Sequence, residues 1–544
     1  MTPAAIRPSK KALVLLIDAL RYDVLADPAA RATLVPNLAR LADRGFVVPA
    51  VANAQSTQFV MPALFSLTYP LDHGGYNNGI RERPKSYVES LRDAGFETHL
   101  MASGNQLGIT MGYDRGFDSV RTTSDYRTLL EQRIGRTLKY ELDLWRKGER
   151  SEADAIALLR AEFALLLRTL VESIEGHDKS IWPPALHRIN RRVADGCVRE
   201  LALIEAVPRA VLNKLSRIAP GVYWRFLGAR TVSAGALFLA RARTALSWRI
   251  REYVSAHTWF PFLTLSHRQT ITGDVIPAIS EFIAGAKDRP WYVHLHVMDV
   301  HDCRSVNRPL HVLGRLRYLP RWLGARLRGM TRRRFLYDSA VMYVDRAVGK
   351  LAGTIAATGQ ESDTVFVVIA DHGSQYAESP RPKQDVGLRM HYEHIDVPLL
   401  VAGAGRGPSG RGLIDTMGIS ATVMDALGVP LHQSHKGIGA FRPGRDAIVS
   451  ESCGHGNADL ARRDIYFTVT SETHRMMAML VGSELRVRKL FDRRADPREL
   501  NDLAADPAQR PVIEGMIAHL RRERAEIFAL RAAARTAVQA TAAS

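Results

Sequence analysis

The hydrophobic pattern near the start of the chain is a continuous apolar run, residues 12–17, preceded by Lys10 and Lys11 and ending on Asp18. A short unbroken run of this kind, bounded by charge, predicts a parallel strand buried on both faces. Its C-terminal end is where open α/β sheets place ligands, so Asp18 stands at a candidate site. The pattern then alternates. Residues 36–45 predict a helix stopped by glycine, 46–51 a strand, 86–94 a helix ended by Gly95, and 97–102 a strand. Two further buried runs, 291–297 and 364–370, lead directly into acids and imidazoles. Strands alternating with helices predict an α/β fold whose central mixed, mostly parallel sheet is flanked by helices.

Between residues 126 and 287 the strand pattern fades. Apolar positions recur there at helical spacing among many arginines, as in 155–170 and 234–250, so a basic helical insertion is expected. The predicted organisation is a core in two parts, 10–125 and 288–450, split by the insertion 126–287. A C-terminal subdomain, 451–525, and an Ala/Arg-rich tail, 526–544, follow. Pro183-Pro184, Pro208 and Pro220 break the helical periodicity inside the insertion.

The chain has 74 Lys and Arg against 56 Asp and Glu, a formal charge of +18, which favours anionic partners without choosing among them. The stretch from Arg315 to Arg334 contains eight arginines and no acid, interleaved with Tyr318 and Trp322. Such a mixture predicts contact with anions or peripheral docking on an anionic membrane. No motif accompanies the charge that would indicate specific nucleic-acid binding. Three scattered cysteines, Cys197, Cys303 and Cys453, exclude a disulfide framework or a cysteine-based zinc cluster. No apolar run reaches the roughly 18 residues of a membrane span, and no secretory leader is read. The expectation is a cytoplasmic protein, with peripheral contact to the inner membrane face as the variant.

Three predicted strand ends carry metal-type ligands: Asp18, Asp299 with His301, and Asp371 with His372. A lone carboxylate after a strand is commonly a helix cap or turn residue. In Asp371-His372-Gly373 the glycine lets the backbone turn so that two adjacent side chains address one ion. Oxygen and imidazole donors suit zinc or manganese better than calcium, which stays an alternative. His294 and His296 alternate within one predicted strand and read as facing packing or polar neighbours, outside the site.

These segments, in this order, resemble the sulfatase family of the alkaline-phosphatase superfamily. Residues 17–23 (IDALRYD) resemble its first metal-ligand segment and 371–373 its second. Residues 391–399 (HYEHIDVPL) are similar to the segment entering its next strand, and 337–350 to its helix before the Asp-His strand. Residues 490–503 are similar to its C-terminal ending. The resemblance implies an alkaline-phosphatase-like fold and metal-dependent cleavage of phosphate or sulfate esters. Its Cys/Ser-x-Pro-x-Arg nucleophile motif is missing, and residues 55–70 contain no cysteine, so a formylglycine made from cysteine is excluded. Residues 66–70 (SLTYP) resemble the family's nucleophile-helix ending. Thr57, nine positions earlier, falls at the offset where phosphate-transferring relatives carry a threonine nucleophile; Ser56 is the alternative hydroxyl.

By the same resemblance Asp18, Thr57, Asp371 and His372 hold a divalent ion that activates Thr57. His301 and one of His391 or His394 assist the leaving group, Asp299 and His394 are candidates for a second metal or substrate, and Arg21 for an anion contact. The expected function is a hydrolase with a covalent threonine intermediate, phosphoesters favoured. The alternatives are a phospho-group transferase acting on a lipid or polysaccharide, and an inactive anion-binding relative.

Overall fold

The structure, a computed structural model, describes residues 9–103, 111–257, 271–303, 309–327, 329–375, 389–454 and 458–533. The predicted tail lies outside the described residues beyond position 533. Eight strands form the main sheet: β1 (Lys11–Ile17), β2 (Gly45–Val51), β3 (Glu97–Ala102), β4 (Ser119–Thr122), β5 (Trp291–Val297), β6 (Thr364–Ile369), β7 (Asp396–Ala402) and β8 (Ile414–Asp415). Their spatial order is β4-β3-β5-β1-β6-β7-β2-β8. The pairs from β4 to β6 run parallel, and β7 is antiparallel to both β6 and β2. This is the expected mixed, mostly parallel sheet. A smaller antiparallel sheet comprises β9 (Ala447–Ser452), β10 (Ile465–Ser471), β11 (His474–Val481) and β12 (Glu484–Asp492).

Register is what positions the site. Every residue of β1 is buried, and Leu16 lies opposite both His296 of β5 and Ile369 of β6. Three parallel strands therefore end at the same level, and the residues just past them, Asp18 and Asp371, converge. The loop after β2 leads into α1 (Thr57–Ser66), a helix buried along its whole length and closed by Leu67 in the left-handed conformation, φ 50°. A fully buried helix carries no polar face to solvent, which is why 59–65 reads as apolar throughout.

The helices from Tyr126 onward build a second apolar core around Leu130, Phe163, Leu167, Val193 and Tyr223, separate from the core under the main sheet. Its polar centre is an ion pair, Lys214 Nζ to Glu200 Oε2 at 2.6 Å, with the Tyr223 hydroxyl donating to Glu200 Oε1 at 2.6 Å. Helix α2 (Ala234–His257) leaves this core with Ala240 buried and Leu237 partly so. The next described helix, α3 (Thr272–Gly285), buries Val275, Ile279 and Ile283 in the main core. Helices α4 (Pro309–Arg326) and α5 (Arg332–Ala357) complete that layer.

The expectation that Tyr318 and Trp322 take part in a membrane-facing surface needs correction. Tyr318 and Trp322 belong to the main core, Tyr318 donating to Asp338 at 2.9 Å, and Arg315 is buried against the carbonyl of Cys303 at 3.3 Å. Their spacing of three to four residues puts them on the inner face of α4, so these aromatics are not membrane anchors.

The smaller sheet is clamped to the main one by buried arginines. Arg475 on β11 is paired with Glu499 and with Asp396 at the start of β7, and Arg524 spans Glu451 at 2.7 Å and Asp72 at 2.8 Å. Removing one partner of such a pair strands a buried charge. Arg475→Ala is therefore expected to lower the unfolding free energy by about 3–5 kcal/mol. Calorimetric unfolding checks this, and a loss below about 1 kcal/mol, the range of exposed pairs, would contradict the clamp.

Candidate metal and nucleophile site

Asp18, Asp371 and His372 are buried, and one ligand atom from each lies within 4.8 Å of the others. His372 Nε2 is 3.4 Å from Asp371 Oδ2 and 3.7 Å from Asp18 Oδ1. The His372 Nδ1–H donates to the carbonyl of Gly373 at 2.6 Å, which leaves Nε2 facing the carboxylates. Asp18 Oδ1 and Asp371 Oδ2 are buried with no hydrogen-bond partner. Two carboxylates sharing one site with an orphaned oxygen each, and an imidazole nitrogen beside them, fit a divalent cation, which would take the place of the imidazole's proton.

Thr57, at the first turn of α1, completes the cluster. Its hydroxyl donates to Asp18 Oδ2 at 3.2 Å and lies 3.2 Å from His372 Nε2. Ser56 is the residue before the helix, with extended backbone; the contacts to Asp18 and His372 belong to Thr57.

Local backbone geometry fixes these groups. Ala19 is held at φ 65°, a conformation that costs a non-glycine residue roughly 1–3 kcal/mol. Its N–H donates to Asp371 Oδ1 at 3.3 Å, its carbonyl accepts from the buried Tyr337 hydroxyl at 3.2 Å, and that hydroxyl accepts from Arg21 N–H at 3.0 Å. Gly373 admits no side chain, since a Cβ there would sit 2.1 Å from the Glu393 carbonyl oxygen. The Gly373 N–H donates to the His394 carbonyl at 2.7 Å, tying the loop that carries Asp371 and His372 to residues 391–395.

His301 stands beside the cluster, its ring 6.2 Å from that of His372 and its side chain 37% exposed. Desolvation in the cleft pulls its pKa down, but the carboxylates of Asp18, Asp302 and Asp371 raise it to about 9. Burial alone would raise the Asp18 pKa; His301, His296 and His372 instead hold it below the usual carboxylate range. His391 Nδ1 bonds Glu499 Oε2 at 2.8 Å. His394 is kept neutral, with a pKa near 3, by burial and the charges of His372, His391, Arg389 and Arg21, and its Nδ1 has no hydrogen-bond partner.

The structure does not bring Asp299 to this cluster. Its carboxylate accepts from the Thr272 N–H at 2.9 Å and faces His311 Nε2 at 3.0 Å. Arg21 is forked onto Asp23, with Nε to Oδ1 at 3.1 Å, and lines a cavity of about 820 Å³ together with Arg334, Met330 and Tyr392.

Two contributors escape sequence reasoning. His296, which the sequence leaves outside the site, points Nε2 at Asp18 Oδ2, 3.1 Å away; register opposite Leu16 puts it there, and alternation along β5 cannot tell an imidazole facing the cluster from one facing packing or another polar neighbour. Arg136, in the insertion, donates to Gln58, the neighbour of Thr57. No local pattern distinguishes it from the surrounding arginines.

Residues 236–429 match the family model for Sulfatase. The chain is 26% identical over 186 residues to a choline-sulfatase of Rhizobium meliloti (strain 1021), an alignment covering 32% of this chain and about a third, 34%, of that protein. Among solved structures it superposes on a 2-O GAG sulfatase (TM-score 0.53, 12% identity, 96% of this chain and 93% of that one). It also superposes on the phosphonate monoester hydrolase of Agrobacterium radiobacter (TM-score 0.51, 16% identity, 96% of each chain). The matched stretch contains His301, Asp371, His372, His391 and His394, while Asp18 and Thr57 come to it through the fold. The chain thus has the alkaline-phosphatase-like fold of the sulfatases, and its 236–429 stretch matches their family model.

Proposed function

We propose that the protein is a metal-dependent ester hydrolase that uses Thr57 as nucleophile, with phosphate esters favoured over sulfate esters. The observation that carries this reading is the Thr57 hydroxyl 3.2 Å from both Asp18 and His372, inside a cluster whose buried carboxylate oxygens lack partners. Asp18, Asp371 and His372 are the residues that would hold the ion, zinc or manganese by their mixed oxygen and nitrogen donors. A bound divalent ion lowers the pKa of the hydroxyl and neutralises charge on the ester.

The remaining work falls to the chain. The hydroxyl's hydrogen bond to Asp18 aims its lone pairs away from the carboxylate, toward an ester in the cleft. Thr57 Oγ1, its proton lost to solvent before the first turnover, attacks as the alkoxide and forms a bond to phosphorus as the ester oxygen departs; cleavage of the threonine ester releases it as the alkoxide again. His301, protonated at neutral pH, donates its proton to that oxygen. Water then cleaves the threonine ester, giving its proton back to the neutral His301. His296 and Tyr337 act by position, one against Asp18 and the other on the backbone that carries it. A hydroxyl rather than a formylglycine at the nucleophile favours phosphoryl chemistry, and Cys453 and Cys197 are buried with their thiol pKa values pushed up to about 12.

Turnover of aryl phosphate monoester, diester and sulfate by the zinc- or manganese-loaded protein tests this. Thr57→Ala is expected to lower kcat by at least about 10³-fold, with phosphate esters the better substrates of the unaltered chain. Full activity in Thr57→Ala would sink the assignment. A second expectation concerns charge. In chelator-treated protein the His301 imidazole should remain protonated up to about pH 9 in an NMR titration. Its pKa should fall when a divalent ion cancels the pull of Asp18 and Asp371. A pKa near 6.5 without metal would contradict the reading that those carboxylates face His301.

A further inference from the structure

The large apolar side chains exposed among the described residues are concentrated on two helices. Phe238, Leu239, Leu246, Ile250 and Tyr253 lie on α2. Leu313, Leu316 and Leu323 lie on α4, with Leu327 just past its end. Elsewhere the described residues expose only Val198, Leu500 and Leu530 in this class. Phe238 is 73% exposed and Leu327 is 90% exposed.

These positions are not scattered around the helices. At about 100° per residue, Phe238, Leu239, Leu246 and Ile250 fall within roughly 120° of one another. The opposite side of α2 carries the buried Ala240 and the partly buried Leu237 that anchor it to the insertion's core. On α4 the inner face is Arg315, Tyr318 and Trp322, and Leu313, Leu316, Leu323 and Leu327 form a separate outward stripe. Both helices are thus held by one face and present an apolar stripe on another, the reverse of an ordinary surface helix.

Charge selects the occupant. Residues 206–251 and 309–337 contain no Asp or Glu. The stripes are flanked by exposed Arg241, Arg243 and Arg249 on α2, and by Arg317, Arg321 and Arg326 on α4. A second copy of a chain carrying +18 would bring like charge against like, whereas an anionic lipid surface supplies both the countercharge and an apolar layer. No helix among the described residues is long and apolar enough to cross a membrane, so the geometry is that of helices lying in the interface. We propose that α2 and the outward face of α4 seat the protein on an anionic lipid surface through these apolar stripes and their arginines. The proposal is independent of the Thr57 chemistry, and it uses a face of α4 opposite in character to Tyr318 and Trp322.

Co-sedimentation of the full chain with vesicles of phosphatidylcholine, with and without phosphatidylglycerol, tests it. The protein is expected to pellet with the anionic vesicles, weakly with the neutral ones, and less as salt is raised. The variants F238S/L246S/I250S and L316S/L323S should each weaken partitioning by at least about tenfold, and R243E/R249E should remove the preference for anionic lipid. All alter exposed positions, so their thermal unfolding midpoints should match that of the unaltered chain, which separates lost docking from lost folding. Equal recovery of the unaltered chain in the supernatant with both vesicle types would overturn the proposal. So would vesicle binding undiminished in the serine variants, or a concentration-dependent dimer, abolished by those variants, in a protein that ignores vesicles.

Discussion

Two carboxylates with no solvent exposure, Asp18 and Asp371, are forced to one point by the parallel register of β1 and β6, and the rest of the site is organised by the need to compensate them. Burying one unpaired carboxylate is costly; burying two side by side is prohibitive unless positive charge or donors face both. The fold answers with three imidazoles, His296, His301 and His372, which together hold the Asp18 carboxyl in its charged form. Even so, an oxygen on each acid remains without a hydrogen bond. A cation would complete that balance, and the threonine hydroxyl in contact with Asp18 and His372 is the group such a cation would activate.

The same demand explains features farther out. Ala19 is kept in the left-handed region because its N–H must reach Asp371 while Asp18 faces inward, and Tyr337 of α5 holds both neighbouring peptide groups to keep it there. Gly373 cannot carry a side chain because the loop bearing His372 runs against the backbone of Glu393. His391 is tied to Glu499, itself paired with the fully buried Arg475, so the smaller sheet supports one wall of the cleft. Stability of the clamp and geometry of the site are in this sense one problem.

Much of this was legible in the chain. The strands β1, β5 and β6 announce themselves because a strand covered on both faces must be apolar at every position, and the acids that follow them stand out against that background. Asp371 and His372 were readable for the same reason, and Thr57 only through its spacing from residues 66–70. His296 was not, because within a buried strand an imidazole facing Asp18 and one packed in the core leave the same trace. Asp299 shows the converse: an acid after a strand that is hydrogen-bonded to Thr272 and faces His311, away from the cluster, looks, in sequence, like a ligand. The error over Tyr318 and Trp322 has a similar origin. Aromatics among arginines suggest a lipid-facing surface, but their three-to-four-residue spacing matches the inner face of α4, and the outward leucines carried the surface information.

The central claim is that Asp18, Asp371 and His372 form a divalent-metal site, and calorimetric titration of chelator-treated protein with zinc or manganese tests it most directly. The account predicts saturable binding of an ion at this cluster, weakened at least about a hundredfold by Asp371→Asn and accompanied by a rise in thermal stability of the unaltered chain. No saturable binding by the unaltered protein, or equal affinity in Asp371→Asn, would contradict it.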